Sequence, residues 1–525
     1  MKIQTVAFTA CLLSSIAAAR DWPQWGGQAI RNMYSAEKGL PSSFDPGQFK
    51  PGTEEVDLKT TKNVKWVAKI GSQSYGNVTV AGGKIFVGTN NESPRDPKHQ
   101  GDRSILMCFD EQTGNFLWQL VVPKLKSGKV NDWENLGLLA SPTVDGDRVY
   151  IVTSRCEVMC LDVNGQANGN QGFQDEASYY VQDTGNAPIP IGPKDADIIW
   201  KYDMMDDLGV FPHNASNCSV LVVDDILYVC TSNGQDWTHS NIPSPLAPSF
   251  IAVNKKTGEF LAEDDANIGP RIFHGQWSSP SLAIVNGKKQ ILFGGGDGWL
   301  YAFDPKPVEG DDTSYLKTIW KFDANPPEYK EHKYPAAEGP SEINATPVFY
   351  KNRVYVAIGQ DPEHGEGVGR LVCVDATKTG DITKDGLIWE YRGIKRSIST
   401  VSIDPESGLL FVGDFSGFVH CLDAETGKVY WVYDMKAHMW GSTFVADGKV
   451  YVGDEDGDFV ILPARKDFDP KKDKPIFETN LNAPIYGTPI VANGTVYIQS
   501  NTHLYAFNDQ SKVQGDKAPK VELNK

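Results

Sequence analysis

The sequence predicts an all-β chain closed into an eight-bladed β-propeller of four-stranded antiparallel blades, on three observations. A hairpin signal recurs eight times, a further strand pair follows most copies, and one unpaired strand near the N-terminus can complete the last blade. The hairpins read VTVAGGKIFVGT from Val78, PTVDGDRVYIVT from Pro142, VLVVDDILYVCT from Val220 and LAIVNGKKQILFGG from Leu282. They continue as PVFYKNRVYVAIG from Pro347, VSIDPESGLLFVG from Val401, TFVADGKVYVG from Thr443 and PIVANGTVYIQS from Pro489. Apolar alternation about a tight Asp, Asn or Gly turn is a strong hairpin signal.

The second strand pair is clearest in CLDAETGKVYW at 421–431 and CFDEQTGNFLW at 108–118, with a weaker copy, AVNKKTGEFLA, at 252–262. An apolar strand ends at Asp or Asn, Thr-Gly turns the chain, and a further strand ends at Trp in the two better copies. Other blades replace the tight turn with longer connections that still reach strands: IIWKYD at 198–203, TIWKFD at 318–323, IWEYRG at 388–393 and PIFETN at 475–480. The eighth copy ends at LYAFND without an outer strand, and NVKWVAKI at 63–70 can supply it and close the ring without a free sheet edge. A length of 525 residues would otherwise suggest several domains, but repeats override that prior. The expected organisation is a signal peptide at 1–19, an N-terminal extension at 20–62, the propeller at 63–509 and a polar tail at 510–525.

The leader reading rests on Lys2, the mostly apolar Val6 to Ile16, and the small residues Ala17 to Ala19 before Arg20. Export to a periplasm or the exterior follows as an expectation. No later run approaches a membrane-spanning length. A formal charge of −17 argues against nucleic acid as a partner.

The eleven-residue pattern Ala/Cys-x-Asp-x-x-Thr-Gly-Lys-x-x-Trp resembles the tryptophan-docking repeat of pyrroloquinoline-quinone (PQQ) dehydrogenases and of the outer-membrane assembly lipoprotein of the β-barrel machinery. The stretches DWPQWGGQAIRN, HGQWSSP, GQDPEHGEG and GDEDGD are similar to an exported group of PQQ-like propeller proteins common in planctomycete-type bacteria. The resemblance spans about residues 22–509. It implies the fold, and it implies activity poorly, since one propeller hosts both enzymes and scaffolds.

Four cysteines, Cys108, Cys160, Cys373 and Cys421, share one repeat position where other blades carry Ala252, Ala302 and Ala506, as expected of a tight buried slot. Cys218 and Cys230 lie symmetrically about Asp224 and form the one disulfide candidate, with ordinary packing the alternative. No Cys-x-x-Cys-His, G-x-S-x-G or HExxH occurs, and neither does the adjacent Cys-Cys pair of many quinoprotein alcohol dehydrogenases. GDEDGD at 453–458 reads as a turn between strands, lacking the spacing of a calcium loop.

If strands alternate, the loop before strand one and the loop between strands two and three share a face. Eight of the nine histidines fall in these loops (all but His420). The binding candidates there are His213, Trp237, His239, His274, Trp277, Glu363, His364, Arg396, His438 and Trp440. Imidazoles supply ligation and acid–base chemistry, and indoles supply stacking surface. The leading expectation is a binding or scaffold module acting through this His/Trp-rich face on an envelope protein, a glycan or a small molecule. The alternative, implied by the resemblance, is a PQQ- and calcium-dependent oxidoreductase of alcohols or sugars. It would use a stacking Trp, an Arg near the quinone oxygens, and carboxylate or amide calcium ligands. Arg396, Glu342, Asn344 and Asp361 stand in the right loops, but the family's ligands do not map onto them residue by residue. A third reading is a carbohydrate-active enzyme with paired carboxylates such as Glu363 and Glu366. Neither a catalytic residue nor a further metal site is assigned.

Overall fold

The computed structural model describes residues 20–183, 185–329, 339–362 and 367–508. The expected signal peptide and C-terminal tail, and Glu363, His364 and Glu366, lie outside them. Eight sheets are built on one four-strand plan, and together they form the expected propeller. In the first blade Thr79–Ala81, Lys84–Asn90, Arg103–Asp110 and Phe116–Pro123 follow one another as antiparallel neighbours. The last blade takes Ile490–Ala492, Thr495–Gln499 and His503–Phe507 from the C-terminal end and Val64–Lys69 from the N-terminal end. Val64–Lys69 runs antiparallel to His503–Phe507, pairing Lys69 with His503 and Val64 with Phe507, so the ring closes as the sequence leads one to expect.

The Trp and Thr-Gly signals have one structural purpose. Trp66, on the outer strand of the last blade, donates its indole N–H to the Glu111 carbonyl in the first blade. Trp118 does the same to Val163, Trp200 to Lys255, Trp389 to Ala424 and Trp431 to Arg465, each on the following blade. The ring of Trp66 lies so close over the Thr-Gly turn that a Cβ on Gly114 would meet it at 2.5 Å. Gly114 also has φ +70°, so the position excludes side chains twice over. Five of the eight blades thus dock their outermost tryptophan on the next blade's turn, and these indoles help hold the wedges together.

The extension at 20–37 does more than precede the propeller. It bonds to the innermost strand, or to the residues flanking it, in all eight blades. Trp22 and Val80 exchange backbone hydrogen bonds of 2.9 Å, and Val144 donates to the Pro23 carbonyl. Leu282 donates to Ala29, Phe349 to Ile30 and Val445 to Met33. Asn32 bonds both backbone groups of Ile403, and Glu37 accepts from Asn493 and Gly494. The third blade is reached by Arg31, fully buried, whose guanidinium donates to the carbonyls of Trp25, Ser219, Val220 and Pro280. The channel is therefore sealed at this end.

One expectation is corrected. In the third blade the hairpin pairs Val223 with Ile226 and Leu221 with Tyr228. The turn is Asp224-Asp225, and the register carried outward sets Cys230 opposite Ser219, not opposite Cys218. The two cysteines are separate buried thiols: the Cys218 sulfur accepts from the Cys230 N–H, and the Cys230 thiol faces the Gln276 carbonyl at 3.4 Å. GDEDGD is a turn, with Asp454 Oδ1 accepting from the N–H groups of Asp456 and Asp458.

Candidate functional site

Opposite the sealed end, the channel opens as a well of about 430 Å³, within the size range of small-molecule sites. The residue two positions before strand one is small and polar in every blade: Asn77, Ser141, Ser219, Ser279, Thr346, Thr400, Ser442 and Thr488, all lining the well. They form a hydrogen-bonded girdle. The Asn77 N–H donates to Ser141 Oγ (2.8 Å), Ser141 to Ser219 (3.2 Å) and Ser219 to Ser279 (2.9 Å). Thr346 donates to Thr400 (3.2 Å), Thr400 to Ser442 (2.9 Å), Ser442 to Thr488 (2.8 Å), and Thr488 back to the Asn77 side chain. Where a step from Ser279 to Thr346 would fall, the Thr346 hydroxyl instead accepts the indole N–H of Trp25, 3.0 Å away. Trp25 comes from the sealing segment and forms the floor. The girdle escaped the sequence reading, although its signal is present: Ser, Thr or Asn stands immediately before the Pro, Val or Thr that leads into strand one in every blade.

Above the girdle the wall is aromatic. Tyr75, Trp133, Trp277, Trp440 and Tyr486 line it, with Glu134 and Asp361 the acidic members. Tyr75 and Tyr486 stack at 4.7 Å, and Trp440 meets both at 5.4–5.7 Å while its N–H donates to Glu455 Oε2. The Trp277 indole is anchored by a 3.0 Å bond to the Ala215 carbonyl.

Of the expected candidates, Trp277 and Trp440 line the well and the described histidines do not. Arg396 and His438 face Phe415 instead, the guanidinium 4.5 Å from its centroid and the imidazole stacked at 4.5 Å. Trp237 is 46% exposed and meets Trp133 at 6.0 Å. His213, His239 and His274 are buried together beside Trp277, His274 at 5.6 Å and His213 at 6.2 Å from its ring. His99 and His503 hold structural places. Burial pushes both imidazoles down to about 4, and His503 Nε2 faces the Glu54 carbonyl at 2.9 Å.

A carboxylate group sits at the fifth blade. Glu342 is fully buried, and its Oε1 accepts from the Asp361 N–H (2.7 Å) and weakly from the Asn344 amide (3.4 Å). Burial first, then the Asp361 charge, raises its carboxyl to about 8.

A family model described as "Outer membrane protein assembly factor BamB" matches residues 381–466. Among solved structures, a europium-containing methanol dehydrogenase superposes with TM-score 0.54 at 12% identity, over 93% of this chain and 90% of its own. The chain has the fold of an eight-bladed β-propeller, with the family match confined to residues 381–466. BamB from Moraxella catarrhalis gives 0.48 at 13% identity, over 85% of this chain and 99% of its own. A quinohemoprotein alcohol dehydrogenase from Comamonas testosteroni gives 0.46 at 13%, over 97% and 83%. No curated protein sequence matches this chain. At such identities the likeness is one of fold, and it transfers neither the dehydrogenases' cofactor nor BamB's role.

Proposed function

We propose that the propeller is a binding module that takes a neutral, hydroxyl-rich ring compound, a saccharide unit of a glycan, into the aromatic well. One observation carries this reading: a well closed at its floor by Trp25, girdled by eight neutral hydrogen-bonding side chains and walled by five Tyr and Trp rings. Aromatic faces accept the apolar faces of sugar rings, and hydroxyl and amide groups exchange hydrogen bonds with sugar hydroxyls at little desolvation cost. The leader-like residues 1–19 support action outside the cytoplasm. Among the described residues no helix is long and apolar enough to cross a membrane.

The residues present do not fit PQQ. That cofactor is a planar tricarboxylate, whereas the described lining holds two carboxylates and no Lys or Arg. Arg396 is turned to Phe415, and the buried Arg31 directs its donors at four backbone carbonyls. Glu342, Asn344 and Asp361 do converge, as calcium ligands would, but two acidic neighbours and a neutral wall disfavour an anionic ring.

The test is calorimetric titration of the chain from Arg20 onward with mono- to tetrasaccharides, and separately with PQQ plus Ca²⁺. Saccharide binding weakened at least tenfold by both Trp277→Ala and Trp440→Ala is the expected result. Stoichiometric PQQ binding with no saccharide binding would reverse the assignment.

A further inference from the structure

Three histidines far apart in sequence are gathered at one buried point. His213 precedes strand one of the third blade, His239 lies between that blade's strands two and three, and His274 precedes strand one of the fourth. Their ring centroids are 4.1, 4.9 and 5.0 Å apart, and one ring nitrogen from each lies within 4.8 Å of the others. All three side chains are buried.

We infer that His213, His239 and His274 form a binding site for a divalent transition-metal ion of the zinc type. Three imidazoles side by side are a costly way to fill a core, because each brings polar nitrogens and any two protonated rings repel. An ion converts that cost into ligation. A tetrahedral ion about 2.0–2.1 Å from each nitrogen needs nitrogen pairs roughly 3.3 Å apart, within reach of ring rotation. The donor set contains neither thiolate nor carboxylate, which selects zinc, copper or nickel over calcium or magnesium.

The surroundings are built for this. His213 Nδ1 stands 2.7 Å from the Gln235 carbonyl. A carbonyl only accepts, so Nδ1 carries the proton and Nε2 presents its lone pair, the outer-shell arrangement of metal-ligating histidine. The loops approach so closely that a Cβ on Gly234 would meet the His213 Cβ at 2.6 Å and the His274 carbonyl oxygen at 2.8 Å. His239 takes φ +55°, inside a turn where Asp236 accepts from the backbone and hydroxyl of Thr238 and the side chain of Asn241. Such backbone conformations persist where surrounding structure enforces them.

A second cluster shows the contrast. Asp96, His99 and Asp195 also come together, but the Lys98 ammonium lies 3.1 Å from Asp96 and 3.4 Å from Asp195, so a cation is already supplied. The three-histidine site stands independently of the saccharide reading, which concerns the neighbouring well.

The test uses the chain from Arg20 onward, stripped with chelator and titrated with Zn²⁺ by calorimetry and with Co²⁺ by visible absorption. One equivalent of Zn²⁺ and intense tetrahedral Co²⁺ bands are expected. His239→Ala and His274→Ala should each weaken Zn²⁺ binding by roughly a hundredfold, with His99→Ala unchanged. The circular-dichroism melt of apo His239→Ala, whose change lies on a loop, checks that the fold survives. If the alanine variants unfold, the Co²⁺ spectrum of the unaltered chain decides on its own. No Zn²⁺ binding at tens of micromolar, octahedral water-like Co²⁺ bands, or binding that survives in folded His239→Ala each overturn the site.

Discussion

The two ends of the channel are made from different parts of the chain and by different chemistry. At the sealed end a single segment, residues 20–37, crosses every blade and is held by backbone bonds and the buried Arg31. At the open end each blade contributes its own loop, and what projects inward is aromatic or small and polar. The closed end satisfies the innermost strands' last donors and acceptors and so serves stability. The open end leaves rings half-buried with room between them, which is the condition for taking up a ligand. A change at one end should therefore read out in melting and a change at the other in binding.

The largest effect should come from the sealed end. Removing residues 20–37 exposes backbone groups in or beside the innermost strand of all eight blades, and the chain is expected to lose its cooperative thermal transition. The single change Arg31→Ala leaves three buried carbonyls and one half-buried carbonyl without this donor and should cost about 3 kcal/mol or more. Chemical denaturation followed by circular dichroism measures it. A loss under about 1 kcal/mol would mean that water replaces the guanidinium and that the seal is loose.

Glu342 tests whether the open end carries a stability cost of its own. Its carboxyl titrates near 8 in the fold and near 4.5 in the unfolded chain, so between those values the folded state holds the extra proton. Stability is then full below about 4.5 and falls as pH rises toward 8, by roughly 1.4 kcal/mol per unit at most. Glu342→Gln should flatten this part of the pH–stability curve, measured by urea unfolding at pH 5, 6.5 and 8. An unchanged slope would place the cost elsewhere, for instance at Asp264 or Asp454, each raised to about 6 by burial.

Trp277→Ala should reverse the pattern seen at Arg31. Its ring is half-buried and anchored by one bond to Ala215, so the melt should move little. Saccharide affinity should fall at least tenfold, about 1.4 kcal/mol.

The difference between the ends also explains what could be read from the chain alone. Blade count and closure were legible because each hairpin writes its own turn and alternation locally, and the strand ending in Trp66 had one vacancy to fill. The stretch DWPQWGGQAIRN is plain in the sequence, yet its role as a seal was not legible, because its bonds run to residues up to several hundred positions away. Counting strands assigns loops to one end of the ring, but it cannot say whether a side chain turns into the channel or away from it. His438 stacks on Phe415 and Trp440 lines the well, only two residues apart. The disulfide candidate failed by half a residue of turn symmetry at Asp224-Asp225. The meeting of His213, His239 and His274 depends on how two blades abut, which no spacing within one chain segment encodes.

The smallest effect concerns the girdle, where the two ends meet. Ser219→Ala removes the acceptor of the Ser141 N–H and should cost about 1 kcal/mol. Thr346→Val removes the acceptor of the Trp25 indole as well as a wall hydroxyl, so it loosens the floor and should cost more than Ser219→Ala. Urea melts of the two variants order them. Their ligand affinities then separate two ways in which the well could recognise a sugar. If the rings dominate, both hydroxyl changes weaken binding less than Trp277→Ala does. If Ser219→Ala weakens it more, recognition lies in the girdle, and the aromatic wall serves chiefly to exclude water from hydrogen bonds made beneath it.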